Sequence, residues 1–196
     1  MRALVVQAHP SPTSFSAALA AAAQRGVLAA GYELDVLALY DEGFAPAMTT
    51  AERRAYESSA PLVDPQVIRH AELVKAARVL VFVYPTWWFG LPAMLKGWLD
   101  RVLAPGVAFR FDTETNKVRR ELTNVRRLVG VTTYGAPRWY VSGLGDGGRR
   151  TIARSVRLVT HPRCRTTWLG LHRLDVSSLA ERAAFLERVE RRLTRL

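Results

Sequence analysis

Three short segments of this chain gather residue types suited to binding and redox chemistry. The first, Ala8-His9-Pro10-Ser11-Pro12-Thr13-Ser14-Phe15-Ser16, places the hydroxyls of Thr13, Ser14 and Ser16 where an alanine-rich run begins. A helix start leaves backbone N–H groups without partners and carries the positive end of the helix dipole, so it suits a phosphate. His9 adds a further donor there. The same hydroxyls also serve as plain N-caps, and at this point both readings stand. Neither a Rossmann dinucleotide site built on G-x-G-x-x-G nor a P-loop ATPase site built on G-x-x-x-x-G-K-[ST] is expected.

The second segment, Tyr84-Pro85-Thr86-Trp87-Trp88-Phe89-Gly90-Leu91-Pro92, sets three consecutive aromatics between two prolines. Flat aromatic walls suit a flat conjugated ring. Backbone N–H groups near Thr86 to Phe89 are placed to meet ring heteroatoms. A lone tryptophan here would be read as core or subunit interface; three in a row after a buried strand favour a site. The third segment runs Thr132-Thr133-Tyr134-Gly135-Ala136-Pro137-Arg138-Trp139-Tyr140, and Gly135 permits a close backbone approach to a ligand. Gly143, Gly145, Gly147 and Gly148 then make a second flexible stretch around Asp146.

The elements that position these segments follow from hydrophobic patterning. Arg2 to Gln7 reads as a short buried strand, Ser14 to Ala30 as a helix closed by Gly31, and Glu33 to Leu39 as a second strand, which together make one βαβ unit. Residues 40–65 form a long polar excursion with a helix near Ala51 to Glu57, and Pro65 to Ala77 is helical. Arg78 to Tyr84 is an unbroken apolar strand, so helices should cover both its faces. A helix from Pro92 to Val102 follows, then a hairpin-like insertion over 105–126. A strand is expected at Arg127 to Thr133, a helix at Gly147 to Leu158, a fifth strand at Cys164 to Leu169, and a closing helix at Ser178 to Leu193. Alternating strands and helices imply a doubly wound parallel sheet, whose ligands sit beyond the carboxyl ends of the strands. That edge is where the three segments fall.

The 196 residues suit a single domain over 1–196. A chain of this length buries roughly 70% of its unfolded surface, enough to fold without disulfide or metal. Cys164 is the only cysteine and is expected as a reduced thiol in a cytoplasmic protein. Met1 to Gln7 is too short for a signal sequence. The longest charge-free stretch, Val79 to Leu95, is interrupted by Pro85, Gly90 and Pro92, so no membrane span is expected. The net charge is +11, and Lys75, Lys96 and Lys117 are the only lysines. The arginines are scattered, with a mild excess after Arg119. They read as a solvated surface, part of which attracts nucleotide phosphates. No dense basic run interleaved with aromatics points to nucleic acid.

Taken together the three segments resemble the NAD(P)H:quinone dehydrogenase family of flavodoxin-like proteins, over roughly residues 1–175. The stretch P-T-W-W-F-G-L-P-A-M-L-K-G-W-L-D-R from Pro85 to Arg101 carries most of the likeness. The resemblance implies a flavodoxin-like α/β fold with a five-stranded parallel sheet in the order 2-1-3-4-5. It implies bound FAD, with FMN as the alternative, and NADPH or NADH as co-substrate. His9, Thr13, Ser14, Phe15 and Ser16 would hold flavin phosphates and ribityl; the family often has Asn where this chain has Ser16. Pro85, Thr86, Trp87, Trp88 and Phe89 would border the isoalloxazine ring, with Thr132, Thr133, Tyr134 and Gly135 along its other side. Trp88, Phe89 and Tyr140 would face nicotinamide and a quinone-like acceptor, which take turns in one pocket at the boundary of a homodimer.

One departure stands out. Some members of the family use a Tyr and a His to steady the flavin's charge. Tyr140 matches the Tyr, but the His position falls on Asp146, and a carboxylate cannot stabilise developing negative charge unless protonated. Either that pair is absent or Arg138 stands in; His161 and His172 are read as structural. The same scaffold also supports azo or nitro reductases, tailoring reductases of secondary metabolism, and ancillary subunits of ion-transport systems.

Overall fold

The computed structural model describes every residue except 113 and 116. Its strands are β1 (Arg2–Gln7), β2 (Glu33–Ala38), β3 (Ala77–Pro85), β4 (Phe109–Asp112), β5 (Lys117–Arg120), β6 (Arg127–Thr133) and β7 (Arg165–Leu171). Its α-helices are α1 (Phe15–Ala29), α2 (Thr50–Ala55), α3 (Pro65–Ala76), α4 (Ala93–Val102), α5 (Arg138–Leu144), α6 (Gly147–Arg150) and α7 (Leu179–Leu193). Five strands form a parallel sheet in the order β2-β1-β3-β6-β7. Leaving out the antiparallel pair β4–β5, this is the flavodoxin-like order 2-1-3-4-5 expected from the sequence. The hairpin expected over 105–126 is that pair, with residues 113 and 116 of the expectation outside the described ones.

Side chains alternate across the sheet, and both faces are packed. Leu4, Val6, Leu80, Phe82, Tyr84 and Leu128 point to one side, against residues of α3 and α4 such as Val67, Val74, Leu95 and Trp98. Ala3, Val5, Val79, Val81, Val83 and Val129 point to the other, against Leu19 and Ala23 of α1 and Phe185 and Val189 of α7. This two-sided burial is why β3 reads as an unbroken apolar run. Helix starts follow their caps. Ser14 accepts from the Ala17 N–H, while Thr49 and Ser178 each open a reciprocal capping box with a Glu. Gly31, at φ +79°, turns the chain after α1.

Two findings lay outside the sequence reading. A short helix, α5, stands where a loop through Tyr140 was expected. The helix expected over 147–158 is present, but it runs from α6 into a π-helical turn at Thr151–Val156. Among the described residues no helix is long and apolar enough to cross a membrane.

Arg101 ties the helices of one face together. Its side chain is 1% exposed, with Glu52 of α2 and Asp64, the N-cap of α3, each 2.7 Å away, and it also donates to the Ala45 carbonyl. Nearby, the backbone of Pro46 lies so close to Gly97 that an added Cβ would sit 2.0 Å from its carbonyl oxygen, which keeps α4 against this loop. Burial alone would lift the Glu52 carboxyl. Hydrogen bonds from the Thr49 N–H, Arg101 and the Thr49 hydroxyl outweigh it and hold the group below its ordinary 4.5. Asp64 is likewise held below 3.8: burial raises it, but Arg101 and the N–H groups of Gln66 and Val67 lower it more.

Removing one partner from a buried ion pair strands the other, so Arg101→Met is expected to cost about 3–5 kcal/mol in urea unfolding at neutral pH. Both carboxyls have depressed folded values. The stability they contribute is therefore present above their ordinary values and lost as pH falls through the folded ones. The variant should show a shallower loss of stability on acidification than the parent, read from urea midpoints taken from neutral pH down to about pH 3.

Candidate functional site

β1, β3 and β6 all end at the same edge of the sheet, and the three segments meet there. Thr86 joins the second to the third. Its N–H donates to the Thr133 carbonyl at 2.9 Å, and its hydroxyl lies 2.9 Å from that of Thr132. The first meets the second where the His9 and Trp87 rings approach to 6.2 Å.

In the first segment the His9 ring takes the Ser11 N–H at 3.0 Å, and the Ser11 and Thr13 hydroxyls are 3.2 Å apart. Ser14 is the cap; Thr13 is exposed ahead of it, and Ser16 is buried in the first turn of α1. The Ala17 and Ala18 N–H groups bond back to Ser14, whereas those of Phe15 and Ser16 have no acceptor among the described residues. Two free amides at the positive end of a 15-residue helix make a fitting seat for phosphate.

The second segment is strained. Trp88 and Phe89 have φ of +48° and +56°, and Gly90 N–H closes on the Trp87 carbonyl at 3.0 Å. Left-handed residues at both centres of such a turn normally demand Asn-Gly. Here two bulky aromatics take it, at about 1–3 kcal/mol each. The turn leaves Trp88 97% exposed. Its backbone is held by the Gly147 N–H, which donates to the Phe89 carbonyl at 2.8 Å. An added Cβ on Gly147 would lie 3.1 Å from that oxygen, and one on Gly148 would lie 2.9 Å from the Tyr84 hydroxyl.

Gly147 and Gly148, read as part of a flexible stretch, are therefore a close-packed bracket for the aromatic turn. Gly143, Gly145 and Gly148 do spell G-x-G-x-x-G. They link α5 to α6 rather than a strand to a helix, so the pattern lacks its dinucleotide-binding context.

In the third segment Thr132 and Thr133 are buried, and Gly135 is exposed at the rim. Tyr134 turns inward. Its hydroxyl donates to Asp146 at 2.8 Å and accepts from the Trp168 indole at 3.0 Å, and its ring stacks on His172 at 4.3 Å. Burial, then the Asp146 hydrogen bond, pushes the Tyr134 phenol well above its ordinary value, against the Trp168 N–H. Burial does the same to Tyr84, aided by Tyr134 and Asp146, and the Tyr84 hydroxyl has no partner among the described residues. Burial lowers His172, opposed by the Ala136 carbonyl.

Tyr140 lies on α5, half exposed, its ring 5.7 Å from Phe89 and 5.5 Å from Trp139. It faces the second segment, and no hydrogen bond joins it to Asp146. The Asp146 carboxylate is engaged by Tyr134 and caps the Arg149 N–H at 3.2 Å. The sequence reading missed this Tyr134–Asp146–Trp168–His172 cluster; two polar aromatics and a carboxylate near one sheet edge were its only signal. Arg138, raised as a stand-in, lines a cavity of about 220 Å³ with Tyr134, Asp146 and His172. His161 is remote, binding Arg126 where β6 begins. Among the described residues no cluster suits a metal ion.

With this fold and edge in view, the chain belongs to the flavodoxin-like fold family, whose profile it matches over residues 1–194. Its relatives narrow the class. It is 31% identical over 154 residues to NAD(P)H dehydrogenase [quinone] 1 of Rattus norvegicus, covering 71% of this chain and 56% of that protein. It is 30% identical over 166 residues to ribosyldihydronicotinamide dehydrogenase [quinone] of the same organism, covering 76% and 70%. The NAD(P)H:quinone oxidoreductase of Methanothermobacter marburgensis superposes with a TM-score of 0.82 at 26% identity, covering 99% of this chain and 96% of that one. The chain is thus homologous to NAD(P)H:quinone oxidoreductases, although it spans just over half the length of the first of these relatives.

Tyr134→Phe leaves the Asp146 carboxylate and the Trp168 N–H without their shared partner. The expected cost is about 1–3 kcal/mol in urea unfolding. An unchanged midpoint would show that the cluster does not hold the third segment.

Proposed function

We propose that this protein is a flavin-dependent NAD(P)H oxidoreductase that passes electrons to a quinone or similar conjugated acceptor, and that residues 1–196 act as one flavin-binding unit. The observation that carries the reading is the strained Trp87-Trp88-Phe89-Gly90 turn. It presents an open aromatic wall beside the free amides at the start of α1, in a chain homologous to quinone oxidoreductases.

The flavin, when bound, supplies the hydride chemistry between nicotinamide and acceptor. The chain's part is to bind and orient. The Phe15 and Ser16 amides, with the hydroxyls of Thr13 and Ser14 and the ring of His9, receive phosphate and ribityl oxygens. The Trp88 and Phe89 amides, neither with an acceptor among the described residues, point the positive ends of N–H dipoles at the ring's polar edge. Pro85 and Thr86 fix the root of that turn. Thr132, Thr133, Tyr134 and Gly135 close the far side. Trp88, Phe89 and Tyr140 form the face over which nicotinamide and acceptor alternate.

The Tyr–His pair of some relatives is replaced. Asp146 acts through Tyr134 as a positioning residue, not as a donor to the ring. FAD is the proposed form and FMN the alternative. Trp88 and Trp139, at 97% and 74% exposure, are aromatic surface that a second copy would cover, which supports a homodimer closing the pocket.

Purified protein should be yellow, with the visible bands of oxidised flavin that bleach on NADPH addition and return with a quinone; chromatography of the released cofactor separates FAD from FMN. Protein that stays colourless with either flavin in excess refutes the reading.

Trp88→Ala should keep its flavin while kcat/KM for a soluble benzoquinone falls about tenfold. Full activity in that variant would remove Trp88 from the substrate face.

A further inference from the structure

β7 is the outer strand of the sheet and pairs only with β6 among the described residues. The Arg165 N–H donates to Arg126, and the Leu171 carbonyl accepts from Tyr134, so the odd-numbered residues of β7 face β6. In a parallel ladder this turns the N–H and C=O groups of Thr166, Trp168 and Gly170 outward. An open row of that kind is a template for another extended chain.

Arginines frame this open edge on both sides. A groove of about 790 Å³ is lined by Arg127, Arg157, Arg165, Arg192 and Arg195, with Thr166 and Thr167 as its floor. A second hollow of about 350 Å³ continues along β7 past Trp168 and Leu169, where α7 adds Arg188 and Arg191. None of these arginines has a carboxylate within 4.0 Å among the described residues, whereas Arg2, Arg25, Arg53, Arg69, Arg101, Arg110 and Arg119 all do. Seven arginines without a carboxylate partner among the described residues thus line one strand edge. The Thr166 hydroxyl at the floor is buried without a partner.

We propose that this edge is a docking surface for an acidic, extended polypeptide segment, which adds to the sheet as a strand beside β7 with its carboxylates on the flanking arginines. Charge complementarity selects this occupant. A second copy of the chain would bring the same unpaired arginines face to face, so edge-to-edge pairing of two copies is repelled. Single-stranded nucleic acid shares the charge but lacks its usual platform. The exposed aromatics Trp87, Trp88, Trp139 and Tyr140 belong to the candidate site, while Trp168 at this edge is half-buried with its indole N–H on Tyr134. A strand partner uses both features present, the ladder of free backbone groups and the paired rows of guanidinium.

Fluorescence anisotropy of the purified, full-length protein with a labelled oligoglutamate of about ten residues tests this. Binding is expected, weakening about tenfold between roughly 50 and 300 mM salt, and falling by a further factor of about ten in the charge-reversed variant R157E/R192E/R195E, whose folding is checked by circular dichroism. Charge alone would give those two results. A peptide N-methylated at alternate residues should bind about fivefold more weakly, and hydrogen exchange at Thr166, Trp168 and Gly170 should slow in the complex. No binding, or equal binding by the reversed variant, overturns the proposal and leaves the arginines as guards against edge aggregation. Tighter binding of a single-stranded oligonucleotide of matched charge overturns it in favour of nucleic acid. Indifference to N-methylation, with unprotected amides, overturns strand addition.

Discussion

Thr86 stands at the junction on which the candidate site depends. Its N–H and hydroxyl grip the end of β6 through Thr133 and Thr132. β3 and β6 are central strands buried on both faces, so their ends move only if the sheet moves. Anchoring the aromatic segment at this point transfers the rigidity of the core to a surface turn. A loop rooted in exposed backbone would fray, because its hydrogen bonds would compete with water. Both threonines of β6 are buried, so breaking the clamp would strand polar groups away from solvent.

That anchorage bears on the strain in the next residues. Two left-handed aromatics in succession are unfavourable, and a free loop would relax them. They persist because the turn is held at both ends, at Thr86 and by the Gly147 N–H on the Phe89 carbonyl. Gly147 and Gly148 permit that approach by having no Cβ. The geometry frees the Trp88 and Phe89 amides and turns the Trp88 ring outward. A relaxed turn would spend those amides on internal hydrogen bonds or fold the indole onto the core. Strain therefore has a local structural consequence here, which is a polar backbone rim beside an exposed apolar plate.

The sequence shows the fold more fully than the site. β3 and β6 are legible as apolar runs because two-sided burial leaves no polar positions to blur them. The starts of α1, α3 and α7 are legible because caps act within three residues. The three segments could be placed at one edge because a parallel sheet sends all its carboxyl ends one way. What stayed hidden depends on contacts distant in sequence. Arg101 looks like a surface helix arginine until Glu52 and Asp64 arrive from 49 and 37 residues away. Asp146 aligns with a relay position, yet its carboxylate is taken by Tyr134, a pairing no local pattern announces. The glycines around it suggest flexibility, because composition cannot distinguish a glycine that moves from one that lets two backbones touch. α5 was missed for a related reason: seven residues between Pro137 and Gly145 are too short for helical periodicity to show.

The arrangement of charge completes the picture. In the first two-thirds of the chain the arginines that pair do so within the fold, from exposed Arg53 on Glu57 to buried Arg101. The unpaired arginines along β7 belong to α7 and the residues just past it, to the end of the π-helical turn, to the start of β6 and to the strand's own start. These elements share no local sequence signal and come together only when the last strand docks. A scattered-looking excess of arginine is thus compatible with a strongly polarised surface. The separation also has an electrostatic consequence at the edge that carries the aromatic wall. The Trp88 turn and the adjoining start of α1 present backbone dipoles rather than side-chain cations. A ligand there is held by fixed donors at short range, while the guanidinium row along β7 flanks the outer strand of the same sheet and meets the third segment where Arg188 lines the cavity with Tyr134 and Asp146.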